Sequence, residues 1–133
     1  MDLVLGPGIL EQLIQHAKVA YPVEGCGLLA GRDVAGRFIA MRNVSGSSAE
    51  YEMDPAELIH VLRELRNSGE QLLAIYHSHP HGPAGLSDKD VEQAYYPEAA
   101  QVVVSLADPE HPQAMAFRIT GGAIRQIELH VIV

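Results

Sequence analysis

What this chain lacks narrows it before any motif is considered. It has a single cysteine, Cys26, which excludes an internal disulfide and a cysteine-built zinc site. A reducing cytoplasm is therefore the expected compartment. No apolar run approaches the ~18 residues of a membrane span, and no basic segment followed by an apolar one opens the chain, so no secretory leader is expected. Basic residues are few, 9 Lys and Arg against 17 Asp and Glu, for a formal net charge of -8. They are scattered, and Arg63 and Arg66 are interleaved with Glu64. Without a basic stripe to release counterions from phosphates, neither nucleic acid nor a membrane is an expected partner.

What is present suits one domain over residues 1–133: 47% of the chain is apolar and 20% charged, enough to build a core. There is no internal repeat, low-complexity tract or dividing linker. Leu10, Leu13, Ile14 and Ala17 follow helical spacing and give a first amphipathic helix ending before Pro22. Gly25 to Ala30 reads as a small, apolar strand turning at Gly31, with Arg37 to Val44 as its antiparallel neighbour. Asp54-Pro55-Ala56-Glu57 is a strong helix start, a cap followed by proline at the first helical position and glutamate at the third. Leu58, Val61, Leu62 and Leu65 line one face of that helix, which stops near Asn67-Ser68-Gly69. Leu72 to Tyr76 reads as a buried strand, and a short helix starts at Ser87. Gln101–Leu106, Ala114–Thr120 and Ala123–Val133 read as three further strands, the last two a hairpin across Gly121-Gly122. The expected fold is mixed α/β (α+β-like), a mixed β-sheet flanked by helices.

The most informative segment is His77-Ser78-His79-Pro80-His81-Gly82-Pro83-Ala84-Gly85-Leu86-Ser87-Asp88-Lys89-Asp90. It follows a predicted strand, in which side chains alternate between faces, so His77 and His79 point the same way. Two imidazoles at a strand end can grip one ion, with Asp90 as third ligand and water as fourth. Three protein ligands plus an open position is the arrangement of a catalytic zinc. Ser87 also fits a helix N-cap, which would put Asp90 at the third helical position. The two roles are compatible, since a capped first turn holds Asp90 rigidly toward the ion. A metal-activated water needs a proton acceptor beside it. The candidate is Glu24, in Tyr21-Pro22-Val23-Glu24-Gly25-Cys26-Gly27-Leu28-Leu29-Ala30-Gly31; an exposed strand-end charge fits that position equally well.

These residues resemble the JAMM (MPN+) metallopeptidases. The family pattern is an upstream Glu, then H-[ST]-H, seven residues, Ser, two residues and Asp, and the run from His77 to Asp90 matches it without a gap. Pro22 to Gly31 resembles the P-x-E-x-C-G-L-L-x-G signature of the compact bacterial branch. Tyr95-Tyr96-Pro97-Glu98 followed by Val102 to Leu106 is also similar to that branch. The resemblance implies a JAMM/MPN (cytidine deaminase-like) fold and one zinc per chain held by His77, His79 and Asp90. It implies Glu24 as general acid/base and Ser87 as a donor to the oxyanion. The family cleaves amide and isopeptide bonds at the C-termini of ubiquitin-like proteins. Compact bacterial relatives act on small sulfur-carrier proteins, trimming the tail after Gly-Gly or releasing an amino acid such as cysteine. A ubiquitin-like sulfur carrier is therefore the implied substrate and partner.

His81 is expected in the rim of the cleft, where Pro80 and Gly82 break the strand, within reach of substrate. Tyr95 could line the substrate groove or cap the short helix. His16, His60, His111 and His130 read as solvated or packed, and Cys26 as a small apolar residue of a buried strand. A non-catalytic interaction module would carry a broken ligand set, whereas this one is intact. The metallo-β-lactamase-like pattern H-x-H-x-D-H fails at Pro80-His81-Gly82. A zinc peptidase of short peptides remains open on sequence alone, as do the oligomeric state and the leaving group.

Overall fold

The computed structural model describes residues 2–92 and 96–133. Along the chain run β1 (Leu3–Leu5), α1 (Ile9–Ala20), β2 (Cys26–Gly31), β3 (Ala35–Met41), α2 (Pro55–Ser68), β4 (Gln71–His79), α3 (Asp88–Glu92), β5 (Ala100–Ser105), β6 (Gln113–Thr120), β7 (Ala123–Ile127) and β8 (Leu129–Val131). The strands form one mixed sheet in the order β7-β6-β5-β4-β2-β3-β1-β8. At its centre β4 pairs antiparallel with β2 and parallel with β5. Every residue of β2 and β5 is buried. Both faces of these strands are covered, which suits the small and apolar run of β2 and the three consecutive valines of β5.

Strand alternation sorts the core into two layers. Leu29, Ala74, Tyr76, Val102 and Val104 pack against Ile9, Leu13 and Ala17 of α1. Cys26, Leu28 and Ile75 pack on the opposite face against Val61 and Leu65 of α2. His77 lies in register with Cys26, so it projects from the α2 face, as does His79 two residues on. On the other face the buried Tyr76 hydroxyl meets His16 Nδ1 at 3.2 Å and donates to the Leu13 carbonyl at 3.4 Å.

The helix and hairpin signals act as their chemistry requires. Asp54 caps α2 by accepting from the Ala56 N–H at 3.0 Å, Pro55 occupies the first turn, and Gly69 ends the helix at φ 77°. Gly121 and Gly122 both take positive φ, 58° and 82°, as the tight hairpin between β6 and β7 demands. Gly27 is needed for space rather than conformation. A Cβ there would meet the Phe38 ring at 2.5 Å and the Ile39 carbonyl at 2.7 Å. Gly27→Ala should therefore destabilise by roughly 1–3 kcal/mol through overpacking of β2 against β3. Urea unfolding checks this, and an unchanged midpoint would contradict it.

Three strand readings need correction. Ala123–Val133 is not one strand: it divides at Glu128, with β7 pairing β6 at one end of the sheet and β8 pairing β1 in parallel at the other. One residue joins the two ends, so the sheet must curl until its edges meet, and the Leu3 N–H donates to the Glu128 carbonyl at 3.1 Å. The strand β1 has no counterpart in the sequence reading. β3 stops at Met41 rather than Val44, and Asn43 instead bridges to Met53 across the neck of a loop.

Candidate metal centre

β4 runs on to His79, three residues past Tyr76 at the end of its apolar stretch, and so delivers both histidines from a rigid strand. His77 is fully buried. Its ring stacks on Tyr51, centroids 4.8 Å apart and planes 24° from parallel. His79 Nδ1 lies 2.7 Å from the Pro83 carbonyl. An acceptor there requires a proton on Nδ1, which leaves the Nε2 lone pair of the neutral ring free for a ligand role.

The third group arrives by a capped turn. Asp90 N–H donates to Ser87 Oγ at 3.1 Å, and Ser87 N–H donates to Asp90 Oδ2 at 2.9 Å. This reciprocal pair is a capping box with aspartate in the glutamate position. The Ser-x-x-Asp spacing is therefore a helix start and a ligand support at once. The same Oδ2 lies 3.2 Å from His77 Nε2 and 3.1 Å from His79 Nε2, and the two ring nitrogens are 3.1 Å apart. Three donor atoms thus form a near-equilateral triangle. Its edges approach the ~3.3 Å of a tetrahedron with bonds of about 2.0–2.1 Å. Two imidazole nitrogens and a carboxylate oxygen converging at this range form a donor set that fits a divalent ion.

Glu24 completes the group. It is 3% exposed, which rules out the strand-end surface charge, and a carboxylate oxygen lies within 4.8 Å of the His77 and His79 ring nitrogens. Burial pushes its carboxyl up to about 7; the His79 charge opposes the rise and that of Asp90 adds to it. A carboxyl that changes protonation near neutrality suits general acid/base work. Asp90 is held well below the usual carboxylate range: its burial is outweighed by hydrogen bonds from His77 and His79. Burial keeps His77 neutral by lowering its affinity for a proton. A cleft of about 480 Å³ opens here, walled by Glu24, His79 and Ser87 and by the small residues Ser48, Ala49, Gly82 and Gly85.

The model for the prokaryotic homologs of the JAB domain matches residues 7–120, which include every one of these groups. The chain belongs to the prokaryotic JAB family. It is 34% identical over 133 residues to a CysO-cysteine peptidase of Mycobacterium tuberculosis, covering 98% of this chain and 91% of that protein. Over 88 residues it is 44% identical to a Thermus thermophilus protein named "probable TtuB-protein conjugate cleaving protease", covering 65% of this chain and 60% of that one. In structure it is similar to a Desulfitobacterium hafniense protein at TM-score 0.88 and 31% identity, covering 98% of this chain and 92% of the other.

In this JAB-family chain the five residues singled out for metal and chemistry, Glu24, His77, His79, Ser87 and Asp90, come together at one place. His81 stands at the cleft rim, its ring edge-on to Tyr21 at 5.3 Å. Tyr95 lies outside the described residues. Two contributors escaped the sequence reading. Ser78, between the histidines but facing the other way, accepts from the Gly25 N–H at 2.7 Å and pins the residue after Glu24 to β4. Tyr51 supplies the wall behind His77, and its place was set by a loop with no periodic signal. His130 is solvated as expected, pairing with Asp2 and Glu128 at the β1/β8 edge.

Cys26 sits beside this centre but is chemically quiet. Burial, then the charges of Glu24 and Glu57, push its thiol up to about 12, against ~8.5 for an unfolded cysteine. Near pH 8 the folded thiol stays protonated and the unfolded one ionises in part. Iodoacetamide should leave the native protein unmodified and alkylate it fully in urea; rapid alkylation of the native state would contradict this.

Proposed function

We propose that this chain, acting over residues 1–133 as one domain, is a zinc-dependent hydrolase. It cleaves the amide bond that follows the C-terminal Gly-Gly of a ubiquitin-like sulfur-carrier protein. The observation that carries the reading is the convergence of His77, His79 and Asp90 on one point, with a buried carboxylate of raised pKa beside it and a cleft in front. The peptidase and conjugate-cleaving names of its relatives support the substrate class.

His77, His79 and Asp90 would hold one zinc per chain. When bound, zinc polarises the scissile carbonyl and acidifies water. Glu24 takes a proton from the attacking water and returns it to the leaving amine. Ser87 Oγ accepts the Asp90 N–H, so its own hydroxyl proton is free to donate to the oxygen on which charge develops. The small residues Ser48, Ala49, Gly82 and Gly85 on the walls of the cleft would let a glycine backbone come close to the centre. His81, at the cleft rim, would contact substrate. Among the described residues no helix is long and apolar enough to cross a membrane, and the buried, unpaired Cys26 suits a cytoplasmic setting.

The test is a substrate panel: a ubiquitin-like carrier extended past Gly-Gly, the same carrier with Gly-Gly changed to Ala-Ala, and short peptides carrying the same tail. Cleavage confined to the Gly-Gly carrier is expected. Equal turnover of the short peptides would replace the carrier reading with that of a general peptidase.

A further inference from the structure

Glu24 has an anchoring problem. Its Oε1 is buried and makes no hydrogen bond among the described residues, so none of their polar groups holds the carboxylate at that atom. Precision at the carboxylate must then come from the backbone that carries it. That backbone is held on both sides by the loop after β3. The Glu24 N–H donates to the Ser47 carbonyl at 2.9 Å, and the Glu24 carbonyl accepts from Asn43 Nδ2 at 3.0 Å.

Asn43 is the hub of this loop. Its Nδ2 also donates to the Glu50 carbonyl at 3.1 Å. Its Oδ1 accepts from Ser45 N–H at 3.0 Å, Ser45 Oγ at 2.7 Å and Glu52 N–H at 3.0 Å. Two carbonyls face one end of the amide and two N–H groups the other, so the network itself dictates which atom is nitrogen. Both N–H groups are used, and no other side chain has both a donor and an acceptor with this reach. The loop so closed touches the rest of the centre twice more: Tyr51 stacks on His77, and Glu50 pairs with Lys89, one residue before Asp90.

We infer that Asn43 is a positioning residue for the reaction, acting through Glu24 by clamping its carbonyl while its own carbonyl closes the loop. This rests on the reading of Glu24 as general base. Asn43→Asp separates the two functions. It keeps an acceptor for Ser45 and Glu52 but turns an oxygen toward the carbonyls of Glu24 and Glu50, so attraction becomes repulsion. Asn43→Ser, which loses the reach to Glu24 without adding charge, is the second variant.

The experiment uses the zinc-loaded full chain and reads steady-state kinetics, metal content and crystal structures of both variants. Zinc content should match wild type and KM should stay within about threefold, while kcat falls roughly 10–100-fold, the scale of a reacting group misplaced by about 1 Å. In the crystals the Glu24 carboxylate should move by about that distance with His77, His79 and Asp90 unmoved. Unchanged kcat with Glu24 in place, or a rise in KM alone, would overturn the inference. If wild type cleaves no carrier, the substrate proposal fails separately, and the Glu24 position in the variant crystals still decides the role of Asn43.

Discussion

Glu24→Gln abolishes cleavage of the carrier and leaves zinc bound: that is the first expected result. The substitution keeps the size of the side chain and its burial at 3% exposure but removes the group that exchanges a proton near neutrality. General acid/base groups contribute roughly 10²–10⁴-fold to rate, and a loss of that order with unchanged zinc content is the predicted pattern. The three donor atoms of His77, His79 and Asp90 meet without Glu24, so metal content should not follow activity. Stability should hold or rise, because a neutral amide costs less to bury than a carboxylate. Retained activity would remove Glu24 from the mechanism. Zinc loss along with activity would make it a ligand instead.

The second large effect is opposite in kind. Asp90→Ala should lose zinc first and activity as a consequence. Its Oδ2 is the only carboxylate oxygen of the triangle and also takes the Ser87 N–H, so the change removes a ligand and half of the capping box together. Loss of an outer-shell partner already weakens metal binding about 10–100-fold, and loss of a direct ligand should exceed that. Asp90→Asn separates the two contributions: its carbonyl oxygen can still accept from Ser87, while its charge is gone. Equal zinc loss in both variants would assign the effect to ligation. Zinc retained in Asp90→Ala, measured by metal analysis after dialysis, would move the third ligand elsewhere.

How much of this was legible in the sequence depended on distance along the chain. The metal ligands lie within 14 residues on a strand end and a capped turn, both of which have local signatures, so their meeting could be anticipated. The start and stop of α2 and the glycine hairpin were legible for the same reason. Glu24 was ambiguous, because its surroundings come from β4 and the loop after β3, both distant along the chain. β1 and β8 were not legible as a pair. Each has three residues and gains its place from a partner more than a hundred positions away, and nothing at Glu128 marks the switch of edges. Asn43 and Tyr51 were missed because their roles exist only once the loop closes across the Asn43–Met53 bridge.

The central claim is that one bound zinc drives the reaction. The most direct measurement is zinc per chain in the purified protein, read with carrier cleavage before chelation, after it, and after zinc is restored. The account predicts about one zinc per chain, loss of cleavage on chelation and its return with zinc. Full cleavage by protein stripped of metal would contradict it.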